Sequence, residues 1–410
     1  MNVLRLATAG NVDDGKSTLI GRLLVDSRGV HEDQIAAARL SSARRGHDGL
    51  DLAMLTDGLR AERDQGITID VAYRYFATSR RKFVIADCPG HFQYTRNMIT
   101  GVSIADAAVI LIDATKDLQE QTRRHCFIAS LLRVPHLVAC VNKMDLVGYA
   151  ERTFLSVRVR IEDLARELGV ENLAVIPISA LAGDNVVEPS TRMPWYRGRC
   201  LLEHLEGVEP PCSTQPAPLR FAVQGVILPA GGGSRGYTGI LSCGSIQEGD
   251  EALVLPGGAR TRVASVGLGG RAQPRAQSPV SLTVHLREEL DVARGDMLAC
   301  PAAPPRVAAE FDAQIFWMSD APLAPGRKLS IRHTTAETPA SVLSVDHKLG
   351  LDAACRAAAE GQVGLNEFAG VRLRAGRPLC HDAYRDNRVT GSFILIDDAT
   401  NATVAAGMIL

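Results

Sequence analysis

In the first half of the chain, short apolar runs ending in small or polar clusters alternate with longer stretches whose apolar residues recur every three or four positions. Runs 3–9, 70–77, 82–86, 105–113, 136–141 and 173–178 read as strands, and 16–24, 119–132 and 151–168 as helices. Run 105–113 is almost continuously apolar, the mark of a parallel strand buried on both faces. Thr78-Ser79-Arg80-Arg81 joins two of the strands as a hairpin. Segments 32–45 and about 52–63 carry helical patterns, with Ile35, Ala36 and Leu40 on one side and a break at Gly46-His47-Asp48-Gly49. So long a polar excursion between a first helix and a second strand is uncommon unless functional, and its composition is that of a segment that orders around a ligand. The alternation predicts a doubly wound α/β domain with a mostly parallel sheet.

Beyond a Pro-rich linker at 209–218 the texture changes. Short β-like runs at 219–226, 238–242, 251–255, 261–266 and 280–286, separated by Gly and Pro turns, predict a small β-barrel. Cys300-Pro301-Ala302-Ala303-Pro304-Pro305 marks a further boundary, and 306–410 reads as a second barrel with one helical patch near 353–360. The expected division is 1–209, 210–303 and 304–410.

Composition narrows the class. A length of 410 residues calls for two or three domains. The 22% charged and 46% hydrophobic content is that of an ordinary globular chain, and a net charge of −1 argues against a broad basic surface for nucleic acid. No apolar run reaches the ~18 residues of a membrane span. The start, Met1-Asn2-Val3-Leu4-Arg5, lacks a secretory leader. Nine cysteines with no C-x-x-C pair read as reduced thiols, so a cytoplasmic protein is expected.

The chemistry starts at Gly10-Asn11-Val12-Asp13-Asp14-Gly15-Lys16-Ser17-Thr18, a Gly, four residues, then Gly-Lys-Ser, between a strand and a helix. Backbone N–H groups of such a turn and the helix dipole face a polyphosphate; Lys16 would reach the β- and γ-phosphates and the Ser17 hydroxyl would sit on Mg²⁺. Thr68 is the candidate second hydroxyl on the metal, though alone it would be an ordinary strand residue. Asp87-Cys88-Pro89-Gly90-His91 ends an apolar strand: Asp87 can hold a Mg²⁺-bound water, and Gly90 lets a backbone N–H approach the γ-phosphate. Asn142-Lys143-Met144-Asp145 reads guanine, because Asp145 can accept from N1–H and the 2-amino group, which adenine lacks; Asn142 hydrogen-bonds base edge and loop, and the Lys143 stem lies along the ring. The backbone of Ser179-Ala180-Leu181 can meet the guanine O6. The expected ligand is therefore GTP with Mg²⁺. Other residues take the plainer reading: Arg294-Gly295-Asp296 as a turn, His333, His347 and His381 as surface or packing residues without metal-ligand spacing, Trp195 and Trp317 as packing anchors.

These elements in this order, followed by two barrels, resemble the translation-factor class of GTPases, and within it the large, GTP-binding subunit of sulfate adenylyltransferase. The resemblance is carried by 10–24 and 62–76, by Gln93-Tyr94-Thr95-Arg96-Asn97-Met98, Gln121-Thr122-Arg123-Arg124-His125, Gly183-Asp184-Asn185-Val186-Val187 and Met193-Pro194-Trp195-Tyr196, and by 390–397 and 400–404. Asp13-Asp14 and Tyr73-Arg74-Tyr75-Phe76 favour this family over elongation factors of the Tu/1A type, which remain the second reading as carriers of aminoacyl-tRNA; a stand-alone GTPase switch is a third. The resemblance implies a small catalytic partner subunit that makes adenosine 5′-phosphosulfate and pyrophosphate from ATP and sulfate, with GTP hydrolysis here driving it. It also implies that His91 positions the attacking water, against the simpler role of capping the next helix, and that Val12 and Ile67 gate it. Phe92 departs from the polar or acidic residue usual at that place, and no second phosphate loop for a fused kinase domain is expected.

Overall fold

The computed structural model describes residues 3–27, 29, 32–33, 35–36, 52–55, 68, 70–209, 217–228, 234–350, 356–358 and 362–410. They fall into two compact units, divided after residue 212.

The first unit contains, in chain order, β1 (Val3–Gly10), α1 (Lys16–Asp26), β2 (Ala72–Ala77), β3 (Lys82–Asp87), α2 (Thr95–Ser103), β4 (Ala107–Asp113), α3 (Glu120–Leu131), β5 (His136–Asn142), α4 (Glu151–Glu167), β6 (Leu173–Pro177) and α5 (Leu201–Gly207). The sheet order is β2-β3-β1-β4-β5-β6, parallel throughout except for β2, which is antiparallel to β3. Every side chain of β4 is buried, as its unbroken apolar run requires. On α1, Leu19, Ile20, Leu23 and Leu24 recur at helical spacing and pack with Leu4, Leu6 and Leu111 of the sheet. Register then decides where chemistry can sit. Thr8 pairs with Asp87, Gly10 with Leu111, and Asp113 with Asn142, so these strands deliver their last residues to one edge of the sheet.

Three features differ from the sequence expectation. Helix α2 was expected only as the helix after His91, with no bounds given; its Met98, Ile99 and Val102 are buried, but nine residues give too short a stripe to stand out. Helix α5 was missed for the same reason, burying Leu201, Leu202 and Leu205 within seven residues. The Ala-rich patch near 353–360 is not a helix where it is described: Arg356–Ala358 pairs antiparallel with Lys348 and its neighbours, the sheet edge overriding local propensity. Of the two helical patterns ahead of β2, Glu32–Asp33 and Ile35–Ala36 are helical and Leu52–Leu55 forms a single tight turn; the rest lies outside the described residues, as does most of the 209–218 linker.

The second unit holds β7 (Arg220–Ile227), β8 (Gly236–Cys243), β9 (Ser245–Gln247), β10 (Glu251–Leu255), β11 (Ala259–Leu268), β12 (Arg271–Gln273), β13 (Arg275–Gln277), β14 (Val280–Leu286) and β15 (Met297–Ala299). Strands β10-β15-β7-β8-β14-β11 form an antiparallel ring closed by the β10–β11 pairing. The rest of the unit supplies β16 (Arg306–Trp317), β17 (Lys328–His333), β18 (Ala336–Leu349), β19 (Arg356–Ala358), β20 (Phe368–His381), β21 (Ser392–Ile396) and β22 (Thr403–Ile409). Here β17-β21-β22-β16-β20-β18 closes through β17–β18. The expected α/β domain followed by two β-barrels is thus what the chain forms. Trp317 is fully buried in the second barrel, its indole N–H donating to Ala321 O at 2.9 Å, and His333 and His381 are buried there too. Trp195 packs on Phe154 at 5.4 Å between ring centroids. Arg294 and Gly295 form the expected turn, closed by Asp296 N–H donating to Ala293 O. Among the described residues no helix is long and apolar enough to cross a membrane.

Candidate nucleotide site

The loop between β1 and α1 closes on itself. Asp14 Oδ2 accepts from Asn11 N–H at 2.8 Å, Asn11 Oδ1 accepts from Val12 N–H at 3.0 Å, and Asp13 takes a left-handed φ of 68° on the exposed rim. Burial pushes the Asp14 carboxyl above its ordinary range, the Asn11 hydrogen bond pulling the other way. Gly15, at φ 94°, turns the chain into α1; a Cβ there would lie 2.5 Å from Asn142 Nδ2. Lys16 is 8% exposed and its Nζ donates to Gly10 O at 3.2 Å and Asn11 O at 3.4 Å. Burial lowers its pKa, with Asp87 and Asp14 opposing. Among the described residues it makes no ion pair. Ser17 and Thr18 follow, half-buried in the first turn of α1.

At the end of β3, Asp87 is buried beside Thr8, whose Oγ1 donates to Asp87 Oδ1 at 3.5 Å. Cys88 is buried and burial drives its thiol pKa far up, so it is an inert packing group. Pro89 and Gly90 are buried too, and Gly90 touches the phosphate loop: a Cβ on it would fall 2.3 Å from Gly10 O and 2.8 Å from Lys16 Nζ. His91 is exposed, and its Nδ1 accepts from Gln93 N–H at 3.3 Å, so in this conformation the imidazole caps the turn that leads to α2. Thr68 is a half-buried coil residue, while Ile67 lies outside the described residues, and with it the pairing expected of Val12 and Ile67.

The third wall comes from β5 and β6. Asn142, 2% exposed, donates from Nδ2 to Asp14 O at 2.8 Å and accepts at Oδ1 from Ala180 N–H at 2.9 Å. One amide therefore ties the phosphate loop, its own tetrad and the 179–181 loop together. Of the Ser179–Leu181 backbone expected at the base, the Ala180 N–H is here engaged by that amide. Asp145 Oδ1 accepts from Ser179 Oγ at 2.6 Å, and Met144 is wholly buried with its N–H donating to Ile178 O. Lys143 takes a φ of 63° and donates from Nζ to Asp113 Oδ2 at 2.8 Å. Burial tends to raise the Asp113 pKa, but the Lys143 and Thr115 hydrogen bonds outweigh it, leaving the carboxyl below its ordinary value.

Several contributors were not foreseen. Asp113 anchors Lys143. Arg22 of α1 donates from Nε to Ala180 O at 3.2 Å and from Nη2 to Leu181 O, holding a loop whose Leu181 side chain is 67% exposed. Thr8 supports Asp87, and Gln121 donates to Gly90 O at 3.1 Å. Asp113 left a trace in the sequence as the acid ending an apolar strand, while Arg22 and Gln121 appeared only within stretches that carry the family likeness.

Comparison with known proteins agrees with this architecture. Residues 1–211 match the family described as the elongation factor Tu GTP binding domain, and 310–410 the GTP-eEF1A C-terminal domain-like family. The bifunctional enzyme CysN/CysC of Mycobacterium tuberculosis (strain H37Rv) is 50% identical over 412 residues, covering 100% of this chain and 67% of the relative. Sulfate adenylyltransferase subunit 1 of Saccharophagus degradans is 46% identical over 410 residues, covering 100% of this chain and 87% of the relative. Another protein of that name, from Shewanella oneidensis, is 46% identical over 414 residues, covering 100% of this chain and 85% of its own length. The likeness to elongation factors is one of fold, whereas these relatives align along the whole chain. The chain belongs to the sulfate adenylyltransferase subunit 1 family, on the elongation factor Tu type of GTP-binding domain.

Proposed function

We propose that this chain is the GTP-binding and GTP-hydrolysing subunit of a sulfate adenylyltransferase, working with a small catalytic subunit that forms adenosine 5′-phosphosulfate and pyrophosphate from ATP and sulfate. The observation that carries the reading is the Asn142 amide, which fastens the Gly10–Thr18 loop to the Asn142–Asp145 and Ser179–Leu181 loops. A triphosphate along α1 and a guanine at Asp145 then belong to one ligand. Asp145 keeps a carboxylate oxygen beyond the one bonded to Ser179, and a carboxylate deprived of purine N–H donors would reject adenine by about 10²-fold.

Lys16 supplies a buried cation for the β- and γ-phosphates, and the Gly90 backbone lies close enough to Gly10 and Lys16 to donate to the terminal phosphate. The oxygen donors Ser17, Thr68 and Asp87 suit a hard cation, and the close Gly90 approach, where a Cβ would collide, fits a loop shaped around phosphate and metal. Mg²⁺ held there would offset charge on the β- and γ-oxygens. His91 would position the attacking water. With Nδ1 engaged by the Gln93 N–H, Nε2 is the ring nitrogen left to face that water. Val12 and Ile67 would form the apolar gate, and the partner would be driven only as far as it distinguishes the triphosphate and diphosphate forms.

The test is co-expression with the small subunit. Adenosine phosphosulfate formation should rise with GTP and not with a non-hydrolysable analogue, and calorimetry should show binding of GTP well above ATP. Absence of GTP dependence in an intact complex rejects the proposal.

A further inference from the structure

We propose that Gln121 and His125 of α3 are a positioning pair for GTP hydrolysis, fixing the peptide between Gly90 and His91; the inference rests on the GTPase reading above. The two residues are four apart and so share one face of α3. Gln121 Nε2 lies 3.1 Å from Gly90 O and 3.2 Å from His125 Nε2. A side-chain amide nitrogen has two N–H donors, and here one goes to each acceptor. His125 Nε2 must then present its lone pair, which puts the ring proton on Nδ1.

His125 is fully buried, and its Nδ1 has no hydrogen-bond partner among the described residues. An unpartnered buried donor is a cost that packing would avoid with an apolar residue. What the imidazole provides in return is direction. Turning the Gln121 amide over would set its carbonyl oxygen against the Gly90 carbonyl and would require the His125 proton to move to Nε2. Burial, with Lys16 and Arg124 adding to it, pushes the His125 pKa down to about 3, so the ring stays neutral. The Gly90 carbonyl is therefore held by an amide whose reverse orientation would set oxygen against oxygen, on a helix packed beneath the strand end. That carbonyl shares its peptide plane with the His91 N–H, so α3 sets where His91 begins.

The experiment compares Gln121→Glu, which keeps the shape and removes both N–H donors, with Gln121→Ala and with His125→Gln. In the complex with the small subunit, we expect kcat for GTP hydrolysis to fall about tenfold in both Gln121 variants. The GTP dissociation constant should stay within about threefold of the parent, and the thermal midpoint should hold, because Gln121 is only half-buried. His125→Gln should give a smaller fall in kcat with the same split. Unchanged kcat in Gln121→Glu and Gln121→Ala overturns the inference, as does a parallel loss of binding, turnover and thermal midpoint, which would make the pair merely structural. If the parent protein itself neither binds nor hydrolyses GTP, the underlying reading has failed first, and that result is separable from the others.

Discussion

Lys16 in the first unit and Arg220 in the second are both nearly withdrawn from water, at 8% and 3% exposure, yet their charges are handled in opposite ways. Arg220 donates from Nε and Nη2 to the two oxygens of Asp382, each at 2.8 Å, and from Nη1 to Leu219 O and Ala303 O. Asp382 also accepts from Thr390 Oγ1 at 2.6 Å. Burial alone would raise the Asp382 pKa, but the guanidinium and the Thr390 hydroxyl more than reverse it. The group links β7 to the turn after β20 and is complete in itself. Lys16 has two backbone carbonyls and, among the described residues, no carboxylate partner. A buried ion with all its partners is part of the scaffold; Lys16, which no carboxylate touches and on which Asp87 and Asp14 act only at longer range, is left open to a ligand that brings its own charge.

That contrast can be broken experimentally. The largest effect should come from Arg220→Met, which strands Asp382: the second unit should lose about 3–5 kcal/mol in chemical denaturation, with GTP affinity unchanged. An unmoved midpoint would mean that the pair is ornamental. Lys16→Met should do the reverse, weakening GTP binding by roughly 100-fold or more while leaving the ligand-free chain as stable as before or more so, since an under-partnered ammonium is no longer buried. A loss of ligand-free stability would place Lys16 in the scaffold after all. Asp145→Asn should cut GTP affinity by about 10²-fold and improve binding of a xanthine nucleotide, read by calorimetry. Equal losses for both bases would remove Asp145 from base recognition.

The smallest effect concerns Asp113. Its folded pKa is depressed, so its contribution is present above the ordinary value of 3.8 and is lost as pH falls through the lower folded value. Asp113→Asn should therefore flatten the acid end of the first unit's stability curve. It should also weaken GTP binding by about fivefold, the scale of one charge-assisted hydrogen bond, as Lys143 loses its anchor. A variant with the parent's acid limb would show that the Lys143 contact contributes nothing.

The candidate site was legible where its residues are contiguous. Gly10–Thr18 and Asn142–Asp145 announce themselves because a strand end, a turn and a helix start are each short and local. What tied them together was not legible. Arg22 reaches Ala180 across 158 positions, Lys143 reaches Asp113 across 30, and Gln121 reaches Gly90 across 31; none of these follows from spacing. The Gln121–His125 run did catch attention, but only as a mark of family likeness. In the fold, strand patterns were read well because alternation survives burial, and β10 and β14 fall on their expected residues. Short helices α2 and α5 carry too few turns to show a period, and the alanines before 360 expressed a helical preference that pairing with β18 overrode.

The Asn142 amide has a further corollary. It joins the base loop to the phosphate loop without touching the part of the pocket where a terminal phosphate would end. Once GTP is cleaved, that latch is as closed as it was before. The triphosphate and diphosphate states would therefore share the same tie between base loop and phosphate loop, and any difference between them must arise elsewhere, on the Gly90 side of the pocket.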